Sequence, residues 1–185
     1  MSSTQVDELM GGERKVEISL DKSGLVLLTD IIPDALLEIR YFSTFNFVGE
    51  RIDAYEAPVA YLTKETALAL KNASDDLKKQ GYVIEIFDAY RPQSAVDLTI
   101  VDMMSGQELD MGSAFDFFGE VSHSEHTEGL TKEQINNRLI LRKAMTENGF
   151  KPLAEEWWHF SLENEPYPNT YFDFPITVPR DENSK

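Results

Sequence analysis

Six consecutive residues, Glu155-Glu156-Trp157-Trp158-His159-Phe160, set two carboxylates and an imidazole beside three large aromatic rings. A carboxyl group among such rings is poorly hydrated, and poor hydration lifts its pKa toward the range in which a general base works. The same residues also spell a buried strand that carries one polar side chain. His159 is one of only three histidines. The other two, His123 and His126, are three apart, which suits a metal on a helix face, but Ser122, Ser124 and Gly129 predict a loop there. The chain has no cysteine, so a metal would be held by histidine and carboxylate. Arg91, in Asp88-Ala89-Tyr90-Arg91-Pro92, sits between a strand end and a proline, where it faces either a cleft or solvent.

The elements that must position these groups are legible in outline. At 185 residues, 42% hydrophobic with eleven Phe, the chain suffices for one domain with one core. Its net charge of −16 speaks against nucleic acid and anionic membranes, which need a cationic face. No run of about 18 apolar residues occurs, and the first residues lack the basic and apolar regions of a secretory signal. The expectation is a soluble, cytoplasmic protein. Residues 1–14 read as a flexible arm and 180–185 as a flexible tail, leaving 15–179 as the domain.

Alternation predicts a strand over 16–20, and 24–32 is an apolar run stopped by Pro33. Residues 42–49 form an aromatic, Asn- and Gly-containing loop that either covers a small cavity or fills core. A helix is predicted over 63–80, capped by Thr63 and stopped by Gly81, with Ala67, Leu68, Leu70, Ala73 and Leu77 inward. A strand over 82–87 follows, then one over 98–102 with a turn at 105–106 leading to a hairpin partner at 108–111. The second helix, 131–148, opens on the capping-box sequence Thr131-Lys132-Glu133-Gln134 and buries Ile135, Leu139, Leu141 and Met145. Two helices among short strands predict an α+β fold with a mostly antiparallel sheet.

Six motifs, taken together and in order, resemble the D-alanyl-D-alanine dipeptidase family of zinc peptidases. They are Arg40-Tyr41 with Asn46-Phe47-Val48-Gly49; Asp88-Ala89-Tyr90-Arg91-Pro92-Gln93; Ser94-Ala95-Val96-Asp97-Leu98-Thr99; Asp110-Met111-Gly112-Ser113 with Phe115-Asp116; Glu156-Trp157-Trp158-His159; and Glu165-Pro166-Tyr167-Pro168-Asn169 with Tyr171-Phe172-Asp173-Phe174-Pro175. The resemblance implies the zinc D,D-peptidase, hedgehog-like fold, one zinc ion per chain, and a small dipeptide as substrate. It implies that Asp97 and His159 are zinc ligands and that Glu156 is the general base. Arg91 would stabilise the tetrahedral intermediate, and Asp116 would engage the substrate's free ammonium group. Peptidoglycan D,D- or L,D-carboxypeptidases on the same scaffold are the neighbouring activity, and Asp116 with the closing aromatic tail argues for the smaller substrate.

One departure matters. The family's first zinc histidine lies in Ser-x-His-x-x-Gly-Ser-Ala-x-Asp. Here only Ser94-Ala95-Val96-Asp97 survives, and no histidine precedes His123 in the chain. The Tyr-Arg-Pro-Gln element and the ligand element, separate in the family, are fused. The third protein ligand is thus unidentified, and His123 or His126 is one alternative for it. The alternative is a relative with impaired catalysis.

Overall fold

The computed structural model describes residues 17–19, 24–89 and 94–178. The arm, the tail, Val16, Leu20 and the Tyr90–Gln93 segment with Arg91 lie outside the described residues. Strand β1 (Glu17–Ser19) is followed by β2 (Leu25–Leu27) and a single helical turn, α1 (Leu28–Ile31). The apolar run 24–32 is therefore split between strand and turn. After β3 (Leu36–Leu37) and β4 (Tyr61–Thr63) comes α2 (Lys64–Lys78), where the Thr63 hydroxyl accepts from the Thr66 N–H at 3.2 Å. Leu70, Ala73 and Leu77 are fully buried, whereas Leu68, expected inward, lies on the solvent side. Gly81, at φ +90°, turns the chain into β5 (Tyr82–Asp88).

Strand β6 (Ala95–Asp102) is longer than the predicted 98–102, because Ala95 to Asp97 also pair. The hairpin expected after it shrinks to one bridge, Val101 to Glu108. Helix α3 (Lys132–Glu147) opens on a complete capping box between Thr131 and Gln134. Its buried face is rotated from the predicted stripe. Leu139 is 55% exposed, while Asn137 and Arg138 are buried beside Leu141 and Met145. The chain closes with β7 (Phe150–Pro152), β8 (His159–Leu162) and β9 (Thr170–Phe172).

A five-stranded sheet runs β3–β5–β6–β8–β7, parallel only between β3 and β5 and antiparallel elsewhere. This is the expected α+β fold with a mostly antiparallel sheet. Two small pairs, β1 with β9 and β2 with β4, sit outside it. Ile84, Ile86, Leu98 and Ile100 are fully buried at the centre. Helices α2 and α3 pack on each other and against β5 and β7 respectively. Among the described residues no helix is long and apolar enough to cross a membrane.

Candidate active site

Asp97 of β6 and His159 of β8 are directly opposite each other in the antiparallel ladder, so their side chains share one face of the sheet. Their neighbours Val96 and Phe160 point the other way and are buried. On a regular strand Glu156 would face away from His159. It does not, because β8 begins only at His159, and the residues before it form a turn in which the His159 N–H reaches the Glu156 carbonyl at 3.4 Å. The Trp157 N–H, donated to the Ser122 carbonyl at 2.9 Å, holds that turn. Trp157 and Trp158 are both buried, which either reading of this stretch requires. His159 Nδ1 is thereby 2.8 Å from Asp97 Oδ1 and 3.7 Å from Glu156 Oε2.

Ligand atoms of Asp97, Glu156 and His159 all lie within 4.8 Å of one another. Burial raises the Asp97 carboxyl, an effect His159 only partly offsets. Burial likewise raises Glu156, helped by the charge of Asp97. Burial works to lower the imidazole, but the carboxylates of Asp97, Glu156 and Asp88 outweigh it and the net shift is upward. Such a cluster holds protons that a divalent cation would displace. Asp97 Oδ1 is buried against the His159 imidazole, with which it forms an ion pair only while that imidazole is protonated. The Asp97 oxygen and the His159 nitrogen are donors of the kind that zinc takes, with the Glu156 carboxylate free beside them to act as a base. His123 and His126 do not join the cluster: they sit with Arg142 and Pro152 in a separate surface depression. The alternative in which one of them supplies the third ligand, which the sequence leaves unidentified, is therefore not met among the described residues. The turn Glu120–Ser122 and the bond from the Ser124 N–H to the Ala154 carbonyl hold that loop away.

Asp116 stands nearby, on the loop between β6 and α3, at φ +60°. A non-glycine residue in that region is uncommon, and it aims the carboxylate inward. The Tyr41 hydroxyl donates to its Oδ1 at 3.4 Å, the Phe47 N–H also reaches it, and Oδ2 is buried without a partner among the described residues. Burial and the Asp97 charge push this carboxyl up to about 6. Burial, then Asp116 and Asp97, raise Tyr41. The loop itself is fastened by Arg138. Its Nε donates to the Met111 carbonyl at 2.6 Å and its Nη atoms to the carbonyls of Val121 and His123 at 2.9 and 3.2 Å. Sequence patterning overlooked Arg138, because a helix stripe is read from apolar residues.

The sequence profile of the D-ala-D-ala dipeptidase family matches residues 21–101 and 94–177, most of the chain. The chain belongs to that family. A D-alanyl-D-alanine dipeptidase of Enterococcus faecalis (strain ATCC 700802 / V583) is 30% identical over 203 aligned positions, spanning 84% of this chain and 100% of that protein. One from Escherichia coli (strain K12) is 33% identical over 170 positions, spanning 77% of this chain and 86% of its own length. One from Enterococcus faecium is 30% identical over 199 positions, spanning 83% and 98%. Kinship with these dipeptidases makes the chain a peptidase by resemblance.

Since 84% of 185 residues is about 155, roughly 48 of the 203 positions aligned to the E. faecalis protein lie opposite gaps in this chain. The two matches to the dipeptidase profile overlap at 94–101, so most of β6 answers to both.

Proposed function

We propose that the chain is a zinc-dependent dipeptidase that hydrolyses D-alanyl-D-alanine to two D-alanines, in breakdown or recycling of a cell-wall precursor. The convergence of Asp97, Glu156 and His159 within 4.8 Å, with Asp116 alongside, carries this reading. Asp97 and His159 would hold the metal. When bound, the ion supplies a Lewis acid for the scissile carbonyl and lowers the pKa of the attacking water. Glu156, raised by burial, takes the water's proton and delivers it to the leaving amine. Arg91 offers fixed positive charge to the developing oxyanion. Asp116, whose carboxylate stands in the wall of a cleft, pairs with the free ammonium of the substrate. A peptide with a blocked amino terminus cannot make that pair, which sets the dipeptidase apart from a peptidoglycan D,D- or L,D-carboxypeptidase.

A second reading, a family member with impaired catalysis, is favoured by one observation: the cluster contains a single histidine. Metal analysis with an assay of D-alanine release separates the two. One zinc per chain with turnover of D-alanyl-D-alanine supports the dipeptidase; a metal-free, inert protein supports the second reading. Glu156→Gln is expected to abolish turnover with zinc retained, and His159→Ala to lose the metal. Full activity of the Glu156→Gln protein would show that the base is elsewhere.

A further inference from the structure

We infer that Asp88, held by Tyr55, is a further positioning residue of the site: its carboxylate keeps a fixed negative charge beside Asp97 and His159 and tightens their hold on a divalent cation. The inference rests on the reading above for the cation itself.

Asp88 owes its place to an irregularity in β5. Ile86 pairs with Leu98, so regular pairing would set Phe87 opposite Asp97 and Asp88 opposite Val96, on the other face of the sheet. Instead the register shifts between Ile86 and Asp88, and Asp88 comes to stand opposite Asp97. Asp97 in turn is opposite His159. Asp88, Asp97 and His159 thus form one lateral row across β5, β6 and β8, with their side chains on a single face. Bulges that re-aim a side chain in this way are over-represented beside active sites. Two buried carboxylates side by side repel each other, and a cation among them relieves that repulsion. The charge of Asp88 also reaches the His159 imidazole and the Tyr41 hydroxyl.

Tyr55 fixes the carboxylate. Both residues are buried, and the Tyr55 hydroxyl donates to Asp88 Oδ1 at 2.6 Å. Tyr55 is itself placed by an uncommon backbone conformation, since Ala54 before it has φ +76°. The C-terminal segment holds that conformation. The Ile176 N–H donates to the Ala54 carbonyl at 2.7 Å and the Glu56 N–H to the Ile176 carbonyl at 3.0 Å, bracketing Tyr55. The Tyr55 ring meets Tyr41 edge-on at 5.8 Å, and the Tyr41 hydroxyl reaches Asp116. Among the described residues, Ala54 and Asp116 are the two non-glycine residues at positive φ. Strain of this kind gathers at functional sites, and here one instance supports each half of the candidate site.

Zinc affinity of the full chain, measured by competition with a chromophoric chelator, tests the inference without turnover. Asp88→Asn keeps the shape and an acceptor for Tyr55 and removes only the charge. It is expected to raise the zinc Kd about 10-fold. Tyr55→Phe keeps the ring, loses the hydroxyl and is expected to raise the Kd about 3-fold. Glu147→Gln, the same loss of charge at an exposed position of α3, is expected to leave the Kd unaltered. Metal-free melting shows which variants fold, and Tyr55→Phe decides alone where Asp88→Asn does not. A wild-type Kd in the folded variants, or an equal loss in Glu147→Gln, overturns the inference. Release of D-alanine from D-alanyl-D-alanine is measured in parallel. Weakened zinc binding in the variants of a protein that binds zinc but hydrolyses nothing defeats the dipeptidase reading and leaves the role of Asp88 standing. A wild type that takes up no zinc defeats both.

Discussion

At the scale of single residues, Arg138 shows a buried charge used as a fastener. Its guanidinium satisfies three carbonyls on the loop that carries Asp116, and Nη2 also reaches the Ser113 hydroxyl at 3.3 Å. Ser113 in turn accepts from the indole N–H of Trp157 at 2.9 Å, so one network joins the Asp116 loop to the turn that places Glu156. Truncation leaves several buried acceptors without donors, each costing on the order of 1–3 kcal/mol. Arg138→Ala is expected to lower stability by about 3 kcal/mol in urea unfolding and to raise KM for dipeptides more than it lowers kcat. Arg138→Lys should recover little, because one ammonium cannot span the fork. A lysine variant with wild-type stability and KM would show the network to be dispensable. Residue identity singled out Glu156, His159 and Asp97, which stand in recognisable motifs and which the fold brings within 4.8 Å of one another. It did not tell which groups hold them. Arg138, Tyr41 and Ser113 act through contacts between segments far apart in the chain, and no local spacing encodes those.

At the scale of elements, both long helices and β5 were legible because caps and periodicity are local. The fusion of two motifs at Ser94–Asp97 was legible too, and β6 carries its outcome by pairing with β5 on one side and β8 on the other. Less legible was the edge of the sheet. Glu85 lies within the apolar strand β5, opposite Leu36 of β3 and Thr99 of β6. Glu38 and Arg40 reach it from the chain after β3, and Glu108 from the segment bridged to β6. Burial, then Glu108 and Glu38, raise its carboxyl to about 7, against the partial relief of Arg40. The folded state therefore holds this proton more tightly than the unfolded chain does. Its contribution is complete below about 4.5 and is lost as pH rises through about 7. Glu85→Gln keeps the neutral form at every pH. Its advantage over wild type should be small at pH 5 and about 1–2 kcal/mol at pH 8, after allowance for solvent screening at this partly exposed site. Thermal unfolding at the two pH values reads it as a melting temperature raised by several degrees only in the alkaline sample. A variant less stable than wild type at pH 8 would mean that the ionised carboxylate is a needed partner of Arg40.

At the scale of the whole molecule, a net charge of −16 and a cluster of half-buried acids make metal binding a question of stability as well as chemistry. Asp97 and His159 are brought together only by the pairing of β6 with β8, so the unfolded chain has no equivalent site. An ion that binds the folded state alone stabilises it by about 2.7 kcal/mol at a hundred times its dissociation constant. For a chain of this length that corresponds to a melting temperature higher by about 5–10 °C. Zinc is expected to give this shift and magnesium to give little, since magnesium prefers six oxygen ligands and sheds water reluctantly. His159→Ala should erase the zinc shift while Glu156→Gln keeps it, which separates holding the ion from using it. Sodium chloride offers the needed control. By screening the general acidic repulsion it should raise the melting temperature of the wild type and of His159→Ala alike. A zinc shift that persists in His159→Ala, or that salt alone reproduces, would mean the ion acts on the protein's surface charge and not at Asp97 and His159.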